Sequence, residues 1–174
     1  MSNKKVNPRR IPLAKRDINK DEIINSAMRD DMAHAWYLVA TALLEQELVS
    51  SADIPALCEE VNQFSLTARA EEVKLVQAEK LMGRKRPKVL SMSRVKSKSD
   101  LEKFKKNVEK VALHTSLAVI CLGLEKRFSD DVLRRVFLSA DLTEAEVDSG
   151  RLTWKDLEQE LREQMITITI SSEA

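Results

Sequence analysis

The side chains that could do chemistry are few and widely spaced along this chain. It holds two histidines, His34 and His114, and two cysteines, Cys58 and Cys121. None of them belongs to a glycine-rich phosphate loop, a Gly-x-Ser-x-Gly turn, a paired-cysteine motif or a His-x-x-x-His motif. The sequence therefore provides no constellation for catalysis, and we expect a protein that is not an enzyme.

Both histidines border long apolar segments and could approach each other if the helices that carry them crossed near their middles. A metal ion would still lack ligands there, because only His34 has carboxylates, Asp30 and Asp31, one helical turn away. We therefore expect core or half-buried histidines with hydrogen-bonded ring nitrogens, and no metal or cofactor. The two cysteines lie in apolar helical patterns, which favours small core residues in a reducing compartment.

The charges are segregated, and this segregation is the strongest indication of a partner. The net charge is +1, but residues 1–20 carry +6, residues 80–98 carry +8, and the rest of the chain carries −13 by difference. Two basic segments are thus attached to an acidic body. Their cations are the candidate residues for binding nucleic acid or a protein partner: Arg9, Arg10, Lys15, Arg16, Arg84, Lys85, Arg86, Lys88, Arg94, Lys96 and Lys98.

Three interpretations of the basic segments remain open. They can be solvated, flexible charge, they can contact a phosphate backbone, or they can bind the acidic patches of a protein. Sequence-specific reading of DNA is disfavoured, because no aromatic residue is interleaved with the cations and no helix-turn-helix pattern is present. The acidic body could also imitate nucleic acid toward a basic groove, through carboxylates such as Asp30, Asp31, Glu59, Glu60, Glu71 and Glu72.

Two apolar segments, residues 33–44 and 113–124, are expected to organise the fold. Each is almost entirely apolar over about three helical turns, so each should be buried around most of its circumference. A shift of 80 residues aligns them, placing His34 on His114 and Glu45 on Glu125. This predicts an all-α helical bundle of two pseudo-symmetric duplicated units, residues 1–81 and 82–174, packed on two long central helices.

Breaks and capping patterns predict helices near residues 20–48, 52–63, 65–81, 100–128, 129–139 and 153–164, with one further turn from residue 143. The expected capping pairs are Asn19 with Glu22, Ser99 with Glu102, and Thr153 with Asp156. Residues 82–98 are predicted to be a linker. Residues 165–170 alternate apolar and polar side chains, which is typical of a short strand but also fits a frayed helix end.

The composition favours a globular, helical protein. Apolar residues make up 43% of the chain and charged residues 33%, while three glycines and four prolines leave little material for tight hairpins. No apolar run approaches the roughly 20 residues that cross a bilayer. The first ten residues carry charge but lack the apolar stretch of a secretion signal. We therefore expect a cytoplasmic protein with no membrane partner.

Two stretches carry a resemblance to known proteins: residues 7–18 (NPRRIPLAKRDI) and residues 138–157 (LSADLTEAEVDSGRLTWKDL). They resemble small helical accessory proteins of phages and conjugative elements of Gram-positive bacteria, which have a Pro-Arg-Arg leader and a closing helix after Gly-x-[Val/Leu]-[Ser/Thr]-x-x-Asp-Leu. The closing pattern is matched here by Gly150, Leu152, Thr153, Asp156 and Leu157. The duplicated unit and the Ile-Thr-Ile-Thr-Ile tail depart from the usual pattern.

The resemblance implies a function, because mobile elements of that kind carry helical anti-CRISPR proteins. Those proteins bind an RNA-guided nuclease and block it without chemistry. The first expectation is therefore a non-enzymatic inhibitor of a bacterial defence nuclease, with a type II CRISPR nuclease favoured, acting in the host cytoplasm. The alternative is a DNA-binding accessory protein of a mobile element, and a homodimer is compatible with either.

Overall fold

Six α-helices make up the described part of the chain, and they confirm the expected all-α class. The computed structural model describes residues 19–68 and 72–168, which contain no strand. The helices are α1 (Lys20–Glu45), α2 (Ile54–Ala68), α3 (Glu72–Met82), α4 (Lys98–Leu124), α5 (Asp130–Asp148) and α6 (Trp154–Glu163).

The two apolar segments lie in the two longest helices, α1 and α4, which have 26 and 27 residues. These helices contact each other more extensively than any other pair of described helices. Trp36, Leu38 and Leu43 of α1 are fully buried, as are Leu117 and Ile120 of α4. The expected burial of both segments at the centre of the molecule is therefore confirmed.

The shorter helices cover the central pair from both sides. In the described residues, α2 and α3 contact mainly α4, whereas α5 and α6 contact mainly α1, and α3 also contacts α5. A single hydrophobic core contains residues from all six helices. The two halves of the chain therefore share one core.

One described helix, α4, is long and apolar enough to cross a membrane by length and composition alone. Most of its apolar window is buried inside the fold, where α1, α2 and α3 contact it. Its apolar composition is thus accounted for by its central place in the core.

Helix α1 ends at Glu45, three residues before the predicted end. Glu47 adopts a positive φ of 53°, its N–H donates to the Leu44 carbonyl at 2.9 Å, and the Leu48 N–H donates to the Leu43 carbonyl at 3.0 Å. These two bonds form a Schellman motif, which satisfies the last carbonyls of a helix and usually has glycine at the residue with positive φ. Because Glu47 is not a glycine, the sequence carried no signal for this end.

Further boundaries also differ from the predictions: α2, for example, continues to Ala68 instead of ending near residue 63. Helix α4 ends at Leu124 instead of 128, and its capping pair is Ser97 with Asp100 rather than Ser99 with Glu102. Helix α5 continues through the predicted break at residue 139 to Asp148. No glycine or proline interrupts α5, and Thr143 donates its hydroxyl to the Ser139 carbonyl at 3.2 Å, so the polar residues fit within the helix.

The predicted caps of α1 and α6 are confirmed. The Asn19 side chain accepts from the Glu22 N–H at 3.3 Å, and Thr153 with Asp156 forms a complete capping box. Each cap satisfies N–H groups at a helix start that have no partner within the helix.

The described part of the alternating tail, residues 165–168, contains no strand, and residues 169 and 170 lie outside the described residues. Met165 has a positive φ of 65°, and the Ile166 N–H donates to the Leu161 carbonyl at 2.9 Å, so α6 also ends in a Schellman motif. Ile166 is buried in the core, and Ile168 packs against it. The alternating isoleucines Ile166 and Ile168 thus pack the chain after α6 onto the core.

Gly123 allows α2 and α4 to approach closely. A Cβ at this position would lie 2.6 Å from Val61 Cγ2, which is closer than real carbon contacts allow. We expect Gly123→Ala to lower the free energy of unfolding by about 1–3 kcal/mol, because α2 would have to move away from α4.

Urea denaturation of Gly123→Ala, Val61→Ala and the double variant tests this expectation. Val61→Ala removes the methyl groups that a new Cβ would meet, so the double variant should lose less stability than the two single losses added together. Strictly additive losses would contradict a close contact at Gly123.

Candidate functional site

The segment between α3 and α4, residues 83–98, holds the described cations singled out by the sequence, and we call it the basic loop. It includes one 3-10 turn, Met92–Arg94, and ends with the first residue of α4. The sequence predicted a linker here. The structure fixes this segment to the helical body at three places.

The first attachment is Arg84, whose Nε donates to Asp141 and whose Nη2 donates to Glu144, both on α5. Its side chain is only 16% exposed. Hydrogen bonds between a guanidinium and carboxylates are about twice as strong as neutral ones, so this attachment is firm. The charge of Arg84 is therefore used inside the molecule and is not displayed to a partner.

The second attachment is a chain of three side chains from the loop to the core. Arg86 Nε donates to Glu79 Oε1 at 2.7 Å, and the same oxygen lies 3.2 Å from His114 Nε2. The His114 side chain is 5% exposed. Partial burial of Glu79 opposes its ionisation, but the hydrogen bonds and charges of Arg86 and His114 outweigh this effect and lower the pKa of Glu79.

The third attachment is the side-chain amide of Asn107 on α4. The Leu90 N–H donates to Asn107 Oδ1 at 2.7 Å, and Asn107 Nδ2 donates to the Lys88 carbonyl at 2.9 Å. One amide thus holds the backbone on both sides of Val89, whose side chain is exposed. This arrangement fixes the conformation of the loop where it passes over α4.

The remaining cations of the basic loop are displayed outward. All are exposed, and none has a carboxylate partner within residues 19–68 and 72–168: Lys85, Lys88, Arg94, Lys96 and Lys98. The other predicted cations, Arg9, Arg10, Lys15 and Arg16, lie outside the described residues. The structure therefore reduces the described candidates from seven to five. Lys85 and Lys88 lie among the three attachments, Arg94 and Lys96 follow them, and Lys98 is the first residue of α4.

Apart from the basic loop, the structure has a groove between the N-terminal halves of α1 and α4 and the adjacent ends of α5 and α6. This groove has a volume of about 950 Å³, and it is lined by carboxylates of α1 and lysines of α4, including Asp31 and Lys105. Burial raises the pKa of Asp31, while its contact with His34 opposes that effect. Asp31 Oδ1 lies 3.3 Å from His34 Nδ1, and Oδ2 has no hydrogen-bond partner in the part of the chain that the structure describes.

The two histidines occupy different surroundings. His34 stacks on Trp154 of α6, with ring centroids 4.2 Å apart and planes 11° apart, whereas His114 bonds to Glu79. Both have a hydrogen-bonded ring nitrogen and are buried or half-buried, as expected. Within the described ranges, no three His, Cys, Asp or Glu residues are grouped so as to hold a metal ion.

Two other predictions about side chains have clear outcomes. Cys58 and Cys121 are buried free thiols, and burial raises the pKa of each to about 12, so the expectation of core cysteines is confirmed. The carboxylates that could imitate phosphates are not all available on the surface. Asp31 is buried. Glu60 is engaged by Arg127 at 2.9 Å, and Glu71 lies outside the described residues.

The sequence did not reveal Asn107, Glu79 or Trp154 as parts of these surfaces. Asn107 was the most accessible of the three to inference, because an asparagine in the middle of a helix is often there for its side-chain hydrogen bonds. Glu79 and Trp154 act on residues 35 and 120 positions away along the chain, so no local pattern could have identified them.

The pKa of Glu79 gives a pH-dependent prediction. Because the folded protein lowers this pKa below its ordinary value of 4.5, ionised Glu79 stabilises the fold above that pH, and the contribution is lost as the pH falls through the lower folded value. We expect Glu79→Gln to reduce the free energy of unfolding by about 1 kcal/mol at neutral pH and by less near about pH 3.

Urea denaturation at both pH values measures this difference. Glu102→Gln is a suitable control, because Glu102 is exposed and lies 3.8 Å from its partner Lys105. An equal loss for Glu79→Gln at both pH values would contradict the assignment of the stabilisation to the ionised carboxylate.

Comparison with known proteins gives no indication of the function of this chain. No protein-family model, curated protein or solved structure matches this chain. The functional proposal therefore depends on the charges, contacts and burial described above.

Proposed function

We propose that this protein is a non-enzymatic inhibitor of a bacterial nucleic-acid-targeting defence nuclease, of the anti-CRISPR kind with a type II nuclease favoured, acting in the host cytoplasm. The basic loop is its contact surface. The observation that carries the proposal is that five exposed cations have no carboxylate partner among the described residues, in a segment attached to the helical body at three places. The resemblance of residues 138–157 to accessory proteins of mobile elements supports the choice of target class.

A fixed loop suits binding to a polyanion. Binding normally costs about 0.5–1.5 kcal/mol for each long side chain that must be ordered, together with the cost of ordering the loop. Here the helical body has already ordered the backbone, so the cost of ordering the loop is reduced. Phosphates of a nuclease-bound nucleic acid, or an acidic patch of the nuclease, would be the complementary surface.

A second candidate is a DNA-binding accessory protein of a mobile element. The same five cations favour it, because a phosphate backbone is recognised mainly by Lys and Arg with little regard to sequence. In this case the basic N-terminal segment would add further phosphate contacts. The two functions differ in whether duplex DNA alone is sufficient for tight binding.

A titration against two targets distinguishes them. The protein is mixed with a guide-loaded type II nuclease, with cleavage as the readout, and separately with duplex DNA at low and moderate salt. Inhibition of cleavage with weak DNA binding supports the inhibitor. Tight DNA binding that falls steeply with salt, without inhibition, supports the accessory protein. Failure to bind either target would contradict both proposals.

Charge reversal tests the role of the basic loop. We expect Lys85→Glu/Lys88→Glu/Lys96→Glu to weaken nuclease binding by about tenfold or more, because three attractive contacts become repulsive. The matched control reverses three exposed cations elsewhere that form no ion pair within the described part of the chain, Arg29, Lys126 and Lys155. Equal loss in both variants would show that net charge, not the loop, is responsible.

We also propose that the bundle is a duplicated three-helix unit, α1 to α3 and α4 to α6. Each unit has a long, an intermediate and a short helix in the same order. The contacts correspond as well, since α2 and α3 lie on α4 while α5 and α6 lie on α1. Among the described residues, the contact between α3 and α5 has no equally extensive counterpart between α6 and α2, which limits the symmetry.

Spin labels at equivalent exposed positions test the duplication. One protein carries a label on α1 and a label on α5, and a second protein carries labels at the equivalent positions of α4 and α2. The distance between the two labels, measured by pulsed electron paramagnetic resonance, should be the same in both proteins. Clearly unequal distances would contradict it.

A further inference from the structure

Helix α5 leaves an apolar pair of side chains uncovered. Leu138 and Leu142 are 61% and 65% exposed, although α5 buries Leu133, Val136 and Phe137 in the core. The exposed pair is four residues apart, so the two side chains are neighbours on the outward face of the helix. A partner that covered these two leucines would remove their apolar surface from water, which favours association.

The charged residues that flank this pair differ in sign on its two sides along the helix. Arg134 and Arg135 come before Leu138, and Glu146 and Asp148 come after Leu142. At 100° per residue, Arg135, Leu138, Leu142 and Glu146 fall within one broad outward face, with Arg134 and Asp148 along one edge. After its first turn, where Asp130 and Asp131 lie, the outer side of α5 therefore runs from basic through apolar to acidic.

We propose that a second copy of this chain covers this face, with the two α5 helices antiparallel about a two-fold axis between Leu138 and Leu142. Leu138 of each copy then meets Leu142 of the other. Arg135 lies beside the other copy's Glu146, and Arg134 lies near its Asp148. Because the same face serves both copies, one patch supplies both the apolar contact and its complementary charges.

The charge pattern favours a second copy over an unrelated partner, because the face is complementary to itself only in the antiparallel orientation. A parallel pair would place arginines against arginines and carboxylates against carboxylates. Arg135 has no side-chain ion pair within the described residues. It is therefore available to a second copy.

The existing ion pairs on this face are weak enough to be exchanged. Arg134 lies 3.6 Å from Asp131, and Glu146 lies 3.6 Å from Arg151. Asp148 lies 4.0 Å from Lys110. All these groups are exposed, and exposed pairs contribute about 0–1 kcal/mol. Contact through single helices buries a small area, so we expect a dissociation constant of about micromolar order.

Sedimentation equilibrium of the full chain over a wide range of concentration tests the apolar contact. Wild-type protein should show a reversible monomer–dimer equilibrium. Leu138→Ser/Leu142→Ser should raise the dissociation constant by about a hundredfold, because the centre of the interface becomes polar. Both leucines are exposed, so the helical circular dichroism should be unchanged. Val76→Ser, at an exposed apolar residue of α3, is the matched control and should leave dimerisation unaltered.

A charge exchange tests the orientation. Arg135→Glu and Glu146→Arg alone should each weaken dimerisation by about tenfold, and the double variant should recover it. Monomeric wild-type protein at every concentration would overturn the proposal. So would a dimer that is insensitive to the leucine changes. Weakening by both single changes without recovery in the double variant would overturn the antiparallel pairing. The pairing is independent of the role proposed for the basic loop.

Discussion

The burial of two apolar helices against each other is the constraint on which the rest of this structure depends. Residues 33–44 and 113–124 are apolar around most of each helix, so their mutual contact leaves further apolar surface that other helices must cover. Helices α2 and α3 cover α4, and α5 and α6 cover α1. The close approach at Gly123 is one local condition for that arrangement. Because every short helix rests on the central pair, the two ends of the basic loop occupy fixed positions.

The cations of the basic loop fall into two groups: some form ion pairs with the helical body, and the others are exposed to solvent. Arg84 and Arg86 are bound by carboxylates of α5 and α3, so they attach the loop to the acidic body. The neutral side chain of Asn107 on α4 then fixes the backbone at Lys88 and Leu90. The five cations that are not used in this way remain exposed. A segregated charge distribution in the sequence therefore becomes an exposed cationic surface attached to the helical body, which is the physical basis of the proposed interaction with a polyanionic target.

Local signals allowed the central helices and the caps of α1 and α6 to be predicted, because hydrophobic periodicity and the side chains of Asn19 and Thr153 act within a few residues. The end of α1 was missed because Glu47 adopts a conformation that sequence patterns assign to glycine. The basic segment was identified from its charge. Its fixed geometry was not, since Asp141 and Glu144 are 57 and 60 residues from Arg84. Contacts of that separation depend on the fold, and the charge pattern alone could not tell displayed cations from attached ones.

Native-state hydrogen exchange of the intact protein tests the shared core most directly. If α1 and α4 form one cooperative core, their slowest amides, within residues 35–43 and 117–124, should exchange with the same opening free energy and the same dependence on denaturant, both equal to those of global unfolding. A clearly lower opening free energy for one of the two helices would show that it unfolds while the other remains intact. That result would contradict a single core shared by both halves of the chain.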